Sequence, residues 1–375
     1  MVKDAPHIII IGGGLIGLST ADALSLAGAK VTVIEAGHQV MGGASFSNSG
    51  MVHLSQARPW VSVIGSDYLA DDAAQSVLAL AKFSAPLIAA KSKSMGLPSN
   101  VSVNARTSGC LQLFADVQSW NAAQARYDSL GIDYRRQPAG GVLGDRPALL
   151  FPDDSSGDAC DYGLALSKQL TKAGVDIITG HAAKIRRHQG RVIGVSVAGR
   201  DIGADHVVLA AGAQSVSVAA QVGLDLPIKA VGGYALTFLK PDTLSLPDIP
   251  VMDFATRSCL TVFGNQVRLS GTVGQESADC LIEIWDDLIP GLRAALGAPI
   301  TPPWRGERPA SLTGKPLIGR TGLPGLWVNA GHAHMGWTLC AGAGAVMADM
   351  ILDGSEAFAG AGSMFSVPAL PAQKH

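Results

Sequence analysis

Three glycines near the start of the chain have the spacing needed to bind a phosphate-containing ligand. Gly12, Gly14 and Gly17 form a Gly-x-Gly-x-x-Gly pattern between a β-branched apolar run and a stretch with helical spacing. In that context the first glycine permits a tight turn, the second lets the backbone approach a pyrophosphate, and the third lets the helix pack closely on the strand. Leu15 and Ile16 open the helix, whose N-terminal N–H groups and dipole attract phosphate. The pattern therefore predicts a dinucleotide-binding turn rather than a turn without a ligand.

Glu35 narrows the choice of dinucleotide. It follows Gly17 by eighteen positions and ends a second apolar run, which we expect to be a buried strand. A carboxylate at this position can accept hydrogen bonds from both ribose hydroxyls and would repel a 2′-phosphate, so NADP is disfavoured. These residues alone do not distinguish NAD from FAD.

Three later segments resemble the D-amino-acid oxidase family of FAD-dependent oxidoreductases. The loop at 43–51, Gly-Ala-Ser-x-x-Asn-x-Gly-Met, resembles the flavin-contacting loop of that family, and residues 207–212 resemble its mid-chain strand and Ala-Gly turn. Residues 331–338, Gly-His-Ala-His-Met-Gly-Trp-Thr, resemble the C-terminal flavin segment of bacterial D-amino-acid dehydrogenases and of related hydroxyproline and opine dehydrogenases. The resemblance covers essentially the whole chain and is weakest between about 60 and 130.

The resemblance implies FAD as the cofactor. We expect it to be non-covalent, because Phe46 stands in the loop where some relatives place a histidine that carries the flavin. A helix N-terminus near Gly336 would stabilise the negative charge on the N1–C2=O edge of the reduced flavin. The small residues at 341–345 would let that helix pack closely on the sheet. The implied cofactor-binding residues are Gly12, Gly14, Leu15, Ile16, Gly17, Glu35, Ala36, Ala44, Ser45, Asn48, Gly50, Met51, Ala182, Ala211, Gly212, Gly331, His332, Met335, Gly336, Trp337 and Thr338.

For the substrate, the resemblance points to Arg308, which matches the family's arginine-proline motif before the last flavin segment. A guanidinium offers a planar two-donor fork that suits an α-carboxylate. The family's usual Thr-Pro-Asp after this motif is replaced here by Ser-Leu-Thr at 311–313. Arg305 is the alternative carboxylate ligand, and pairing with a protein carboxylate is the alternative role for Arg308. The other candidate catalytic residues, for which a structural role is the alternative, are Tyr234, His53 and His334.

The implied activity is FAD-dependent oxidative deamination of D-amino acids. Hydride passes from Cα to flavin N5, the imino acid hydrolyses to a 2-oxo acid, and the electrons leave to a quinone, a dye or a partner subunit. An oxidase that uses O2 stays open. A second hypothesis is a dehydrogenase for a secondary amine, such as cis-4-hydroxy-D-proline, sarcosine or an opine, acting as the catalytic subunit of a multi-component complex. A third is a non-catalytic flavin-binding subunit. An NAD-dependent dehydrogenase is the least favoured, since it has no use for the C-terminal segment.

The order of predicted elements indicates an α/β fold class with two domains that are each discontinuous in sequence. The FAD-binding domain, Rossmann-like and of the GR2 type by resemblance, comprises 1–85, 145–225 and 306–375. The substrate-binding domain, with a mixed or antiparallel β-sheet, comprises 86–144 and 226–305. The elements behind this assignment are strands at 7–11, 30–35 and 206–210, helices at 15–28, 72–95, 116–130, 161–173, 278–289 and 337–353, and antiparallel strands within 228–275.

Composition excludes several other classes of protein. A net charge of −2 without a basic stripe argues against a nucleic-acid partner. Five scattered cysteines without a Cys-x-x-Cys pair predict no disulfide framework and no metal site. Although 47% of the residues are hydrophobic and the mean hydropathy is +0.27, no uninterrupted apolar run reaches the ~20 residues of a transmembrane segment. We therefore expect a cytoplasmic protein, with a peripheral position at the inner membrane and a hetero-oligomer left open. Its predicted partners are a small amino or imino acid substrate and an electron acceptor.

Overall fold

The computed structural model describes residues 5–57, 70–97, 109–271, 277–352, 365 and 367. Its helices are α1 Leu15–Leu26, α2 Ala70–Ser94, α3 Val117–Leu130, α4 Ala159–Lys172, α5 Ser215–Ala220, α6 Asp279–Leu288, α7 Leu292–Ala295 and α8 Gly336–Leu352. Short 3-10 turns span Leu54–Gln56, Gly141–Leu143, Gly212–Gln214 and Ala333–Met335. The strands are β1 His7–Ile11, β2 Lys30–Ile34, β3 Met51–Val52, β4 Cys110–Leu113, β5 Arg135–Pro138, β6 Pro147–Phe151, β7 Ser155–Ser156, β8 Asp176–Ile178, β9 Ala183–His188, β10 Arg191–Val197, β11 Arg200–Gly203, β12 His206–Leu209, β13 Ile228–Leu239, β14 Val251–Asp253, β15 Ser258–Phe263, β16 Gln266–Gly271, β17 Trp304–Ser311, β18 Leu317–Arg320 and β19 Leu326–Ala330.

A six-stranded sheet in the order β18-β19-β12-β1-β2-β8 forms the first layer system. All its neighbouring strands are parallel except β18 and β19. Ile8 and Ile10 of β1 join the core cluster under α1, α4 and α8, whereas Ile9 and Ile11 face the cluster that includes the β9–β11 sheet. Because both faces of β1 are covered, its sequence is continuously apolar rather than alternating. The glycine turn leaves the carboxyl end of this central strand, where α/β sheets bind their ligands.

An eight-stranded sheet in the order β17-β13-β16-β15-β14-β4-β6-β5 forms the second layer system. Its strands are antiparallel except for the parallel pair β14 and β4. One face carries Leu236 and Phe238 and packs against Trp285 of α6 and Leu292 of α7. The residues of β13 between Leu236 and Phe238 and on either side of them point to the opposite face of the sheet, because successive side chains in a strand alternate. This combination confirms the predicted fold class of a Rossmann-like α/β unit with a mixed, mainly antiparallel sheet.

The predicted domain boundaries stay predictions, but two of them meet strands of the eight-stranded sheet. The boundary between residues 144 and 145 assigns β6 to the FAD-binding domain, although β6 pairs with β4 and β5. The boundary between residues 305 and 306 cuts β17, which pairs with β13 along its whole length. Local sequence patterns could not locate these strands, because pairing partners decide which sheet a strand joins.

The predicted helices lie within about two residues of the observed ones, as expected for end positions read from caps. In α4 the side chain of Asp158 caps the helix by accepting the N–H groups of Cys160 at 2.8 Å and Asp161 at 3.2 Å. In α1 the last residue is Leu26, because Gly28 adopts a φ of +87°. Residues 353 and 272–275, within a predicted helix and a predicted antiparallel stretch, lie outside the described residues.

Two helical segments are long and apolar enough to span a membrane by length and composition, Ala73–Ser94 and Ala333–Leu352. Neither segment is an uninterrupted apolar run, because each contains scattered polar residues. The mean hydropathy of each over an 18-residue window is nevertheless high, at 1.4. Within the protein, 50% of the first window and 61% of the second are buried. The two helices contact each other, and the hydroxyl of Ser84 accepts the N–H of Gly342 at 2.9 Å. Packing between helices in the core accounts for the apolar residues in the buried part of each window.

Candidate active site

The glycine turn is held by contacts that leave no space for side chains. Gly12 has a φ of +119°, and a Cβ there would overlap the carbonyl of Ala210 at the end of β12. A Cβ on Gly17 would overlap the carbonyl of Gly12, because α1 packs directly on the turn. A Cβ on Gly14 would lie 3.2 Å from the hydroxyl of Ser45. The turn therefore exposes bare backbone at the N-terminus of α1, as a bound pyrophosphate requires.

Glu35 lies directly beside this turn. Its carboxylate accepts the N–H of Gly13 and the N–H of Gly37, each at 2.7 Å. The N–H of His181 donates to the backbone carbonyl of Glu35 at 3.3 Å, which brings the exposed Ala182 near the same edge. Ala36 is also exposed here. The structure thus brings three predicted cofactor-binding residues, Glu35, Ala36 and Ala182, to one side of the glycine turn.

The loop at 42–50 folds over the N-terminus of α1. The hydroxyl of Ser45 accepts the N–H of Leu15 at 3.2 Å. The side chain of Asn48 accepts the N–H of Gly50 at 2.9 Å, and Gly50 has a φ of +71°. The ring of Phe263 lies against Gly50, where a Cβ would overlap it. The loop is therefore pressed between α1 and the eight-stranded sheet.

Arg268 anchors this loop, and sequence reasoning missed it. Its guanidinium pairs with Asp158 at 2.8 Å and donates to the carbonyl of Asn48 at 3.1 Å. It also lies 4.8 Å from the centre of the Phe263 ring and donates to Thr237 at 3.3 Å. One feature of the sequence could have identified Arg268: it stands between Val267 and Leu269 in an apolar strand. A charge in such a strand is buried and needs a partner.

The two ends of the chain meet beside the loop. In the six-stranded sheet β12 lies between β1, which precedes the glycine turn, and β19, which precedes Gly331. Gly331 has a φ of +82°. The side chain of Asn329 donates to Thr20 of α1 at 3.0 Å. The hydroxyl of Thr338, in the first turn of α8, accepts the N–H of His53 at 3.0 Å. The structure thus places the predicted C-terminal flavin segment against the N-terminal one.

Three histidines are concentrated where these segments meet. The rings of His53 and His334 lie edge to face with centroids 5.9 Å apart. Removal from water lowers the pKa of His53 to about 4 and the pKa values of His332 and His334 to about 3. A hydrogen bond with the His334 backbone partly opposes this effect at His53. All three rings are therefore neutral near pH 7 rather than cationic.

A cavity of about 510 Å³ lies between β13, β17 and the C-terminal segment. Arg308 reaches it from β17 and donates to the carbonyl of Gly232 at 3.3 Å. Burial lowers the pKa of Arg308, but a guanidinium remains protonated in proteins. After β17 the hydroxyls of Ser311 and Thr313 lie 2.9 Å apart and close the turn that replaces Thr-Pro-Asp. The lining residues include Val77, Val231, Arg308, His332, His334 and Leu339.

Strand register separates Arg308 from two other predicted residues. Arg308 pairs with Val231, whereas Arg305 pairs with Tyr234. Since successive side chains alternate between faces, Tyr234 and Arg305 lie on the face opposite to Arg308. Tyr234 packs against the core under α6, and Arg305 forms an exposed ion pair with Glu307 at 3.1 Å. The structure brings His334 to the cavity with Arg308 and places His53 against His334, but it does not bring Tyr234 there.

The remaining predicted residues fit a planar, polar cofactor at this junction. Within the described part of the chain, the two ring nitrogens of His332, Nδ1 of His53 and Nε1 of Trp337 are buried without a hydrogen-bond partner. Buried donors and acceptors are costly when unpaired, and the polar ring edge of a bound cofactor would pair with these atoms. Ala211 and Gly212 follow β12 at the same edge, and Met51 and Met335 are buried beside it. Among the described residues, no group of three or more histidine, cysteine or acidic side chains is placed to hold a metal ion.

Comparison with known proteins extends this result to nearly the whole chain. Residues 7–350 match the family described as DAO, FAD dependent oxidoreductase. D-amino acid dehydrogenase from Sinorhizobium medicae is 29% identical over 92% of this chain and 96% of its own length. The enzyme of the same name from Cereibacter sphaeroides is 27% identical over 92% of this chain and 91% of its own.

Solved structures show the same fold. Iminodiacetate oxidase from Chelativorans sp. BNC1 superimposes with a TM-score of 0.80 at 21% identity, covering 97% of this chain and 100% of that one. L-proline dehydrogenase from P. horikoshii superimposes with a TM-score of 0.77 at 19% identity, covering 95% of this chain and 96% of that one. At these identities the likeness establishes the fold and nothing finer.

Proposed function

Because this chain belongs to the DAO family of FAD-dependent oxidoreductases, we propose that it oxidises D-amino acids to imino acids, which hydrolyse to 2-oxo acids. Membership of the family makes it an FAD-dependent amino-acid dehydrogenase or oxidase, which confirms the predicted cofactor and enzyme class. The observation that carries the choice of substrate is the guanidinium of Arg308 in a cavity shared with His334 and the start of the C-terminal helix. Among the described residues that line it, Arg308 is the one cationic side chain in a mainly apolar wall, which suits the carboxylate of a small amino acid.

The residues at the junction divide the work of holding FAD. The N-terminus of α1, with Ser45 beside it, supplies N–H groups for the pyrophosphate, and Glu35 supplies oxygens for the adenosine ribose. The N-terminus of α8 supplies positive potential for the ring edge that becomes negative on reduction. Bound FAD supplies the hydride acceptor for the reaction.

Attachment of FAD is proposed to be non-covalent. Phe46 occupies the loop position at which some relatives carry a covalent histidine link, and its ring lies 6.0 Å from that of Trp304. A hydrocarbon ring offers no nucleophile to a flavin. Denaturation in acid should therefore release all of the flavin into the supernatant, and flavin that stays with the precipitated chain would contradict the proposal.

Arg308 and the histidines act on the substrate. A guanidinium binds a carboxylate through two parallel hydrogen bonds, which orients Cα toward the cofactor. The reacting amine must be neutral, because its lone pair assists departure of the hydride. The histidines, neutral through removal from water, can accept a hydrogen bond from the amine without adding charge. We therefore expect activity to rise on the alkaline side, as the substrate loses its proton.

The direct test is anaerobic mixing of the purified holoenzyme with separate D- and L-amino acids while flavin absorbance is followed. Bleaching by D-alanine and other small D-amino acids, with no bleaching by their L enantiomers, supports the proposal. Bleaching by L-amino acids alone contradicts the stereochemistry. A preparation that carries flavin yet is bleached by no amine in the panel would favour the non-catalytic flavin-binding subunit.

A second candidate is oxidation of a secondary amine. Within the described residues, the wall of the cavity carries one guanidinium, apolar side chains such as Val77 and Val231, and no carboxylate to bind a primary ammonium. That lining also suits a nitrogen that carries a carbon substituent. Bleaching by cis-4-hydroxy-D-proline or sarcosine, but not by D-alanine, would select this candidate.

Electrons are proposed to pass to a quinone, a dye or a partner subunit rather than to O2. The support is the name dehydrogenase carried by the curated relatives. Reduced enzyme should be reoxidised faster by an artificial quinone than by air-saturated buffer. Rapid reoxidation by air with stoichiometric peroxide would identify an oxidase.

A further inference from the structure

Asp154 is a buried carboxylate for which the proposed chemistry has no use. Asp154 is only 2% exposed. It follows β6 and lines a second cavity of about 350 Å³. One carboxylate oxygen accepts the N–H of Ser55 at 3.0 Å, and the other accepts the hydroxyl of Ser55 at 2.5 Å. Two hydrogen bonds to one distant residue hold that residue in a single orientation.

Ser55 is the middle residue of the 3-10 turn Leu54–Gln56, so the two hydrogen bonds to Asp154 fix the position of this turn. The side chain of Gln56 is held as well, since its amide donates to Gln112 at 3.2 Å. The same oxygen of Gln112 accepts the hydroxyl of Tyr127 at 2.6 Å. All of these side chains are buried, so the turn is fixed by a polar network within the core.

The network positions one backbone carbonyl group next to the cavity. The backbone carbonyl of Gln56 lies 2.9 Å from Nε2 of His334, which lines the cavity with Arg308. A carbonyl oxygen only accepts hydrogen bonds, so Nε2 carries the proton. Because the ring is neutral, its other nitrogen, Nδ1, carries the lone pair. The carbonyl thereby determines which nitrogen of His334 can act as an acceptor.

We propose that Asp154 is a positioning residue that, through Ser55 and the carbonyl of Gln56, holds His334 as the Nε2–H tautomer so that Nδ1 accepts a hydrogen bond from the substrate amine. The role in substrate binding rests on the proposed function; the control of the tautomer does not. Asp154 touches neither substrate nor cofactor in this arrangement. Its contribution is transmitted through a turn 99 residues away in sequence.

The test compares four variants of the holoenzyme. Asp154→Ala removes both acceptors, and Ser55→Ala removes only the hydroxyl link. Asp154→Asn keeps an acceptor for the N–H of Ser55 and adds a donor for its hydroxyl, so it should rescue. Asp153→Asn is the matched control, because Asp153 is exposed and borders the same second cavity.

The first measurement is the ¹⁵N spectrum of the histidine rings without substrate, with His334 assigned by loss of its signals in His334→Asn. The wild type, Asp154→Asn and Asp153→Asn should show a protonated Nε2 and an unprotonated Nδ1. Asp154→Ala should show averaged shifts from both tautomers, and Ser55→Ala should show a smaller change of the same kind. Unchanged shifts in folded Asp154→Ala, or in Ser55→Ala if Asp154→Ala does not fold, would overturn the proposal.

The second measurement separates binding from chemistry. Loss of an oriented acceptor for the amine should raise KM about tenfold in Asp154→Ala, with Asp154→Asn near the wild type. A changed tautomer with an unchanged KM would overturn the role in substrate binding. If no amine reduces the wild-type flavin, the proposed function fails, while the ring spectra still decide whether Asp154 controls His334.

Discussion

Arg268 and Asp158 form an ion pair of 2.8 Å that joins the eight-stranded sheet to the N-cap of α4, a helix packed beside the six-stranded sheet. Their side chains are 8% and 18% exposed, so the pair is largely removed from water. Asp158 also caps α4, and Arg268 also holds the carbonyl of Asn48. This ion pair therefore connects the N-terminus of α4, the loop at 42–50 and the eight-stranded sheet.

Replacing Arg268 with Met should destabilise the fold and weaken retention of FAD. Removing one partner of a buried pair leaves the other charge uncompensated, which costs about 3 kcal/mol or more. Urea unfolding followed by tryptophan fluorescence measures the first effect, and flavin content after gel filtration measures the second. The matched control is Arg186→Met, because the side chains of the Arg186–Asp201 pair are 34% and 56% exposed and the pair should contribute less than about 1 kcal/mol. Equal losses in both variants would contradict a special role for Arg268.

Gly12→Ala should yield protein with little or no FAD. A Cβ at this position would overlap the carbonyl of Ala210, which is rigid backbone at the end of β12. Gly28→Ala is the control, because Gly28 also has a positive φ but has open space around its Cβ position. It should lose roughly 1 kcal/mol of stability from backbone strain and keep its FAD. The ratio of flavin to protein absorbance decides, and a yellow Gly12→Ala variant would refute the steric argument.

Arg308→Ala should raise KM by about 100-fold, since two charge-assisted hydrogen bonds to a carboxylate together contribute roughly 3 kcal/mol. Arg305→Ala is the control, because Arg305 lies on the other face of the sheet and pairs with Glu307 in solvent. Steady-state kinetics with a substrate that bleaches the flavin measures both. A larger KM effect in Arg305→Ala would transfer the carboxylate-binding role to that residue.

Gly233→Ala should displace the guanidinium of Arg308 without removing its charge. A Cβ on Gly233 would overlap the Arg308 guanidinium, whereas a Cβ on Gly232 would approach only the flexible end of Arg305. Because a side-chain end can move, stability should be nearly unchanged in both variants. KM should rise about tenfold in Gly233→Ala, equivalent to roughly 1.4 kcal/mol, and stay near the wild type in Gly232→Ala. Identical KM values would show that Arg308 does not require this position.

Asp154 should make the protein less stable as pH rises toward neutrality. Burial raises its pKa from 3.8 to about 7, the opposing hydrogen bonds from Ser55 being smaller in effect. The folded state therefore binds this proton more tightly than the unfolded state. The resulting stabilisation is complete below about pH 4 and is lost as pH rises through about 7. Asp154→Asn cannot titrate, so its urea midpoint should fall less than that of the wild type between pH 5 and pH 8. Parallel curves would place the pKa outside this range.

The amino-acid sequence by itself determined the features that depend on local backbone geometry. Gly12, Gly14 and Gly17 are predictable because a tight turn at a helix N-terminus tolerates no side chain, and Glu35 because it directly follows the next strand. The segment at 331–338 is predictable because its residue types are specific to one family. Each of these features is encoded within a few neighbouring residues.

Tertiary structure alone decided which side chains meet across the chain. Tyr234 and Arg308 lie on opposite faces because the register of β13 and β17 sets their orientation, and a shift of one residue would reverse it. Arg268 and its partner Asp158 are 110 residues apart in sequence, and Asp154 and its partner Ser55 are 99 residues apart. Buried charges need such partners, but no local pattern indicates which ones they find, since the pairing follows from how the two sheets pack.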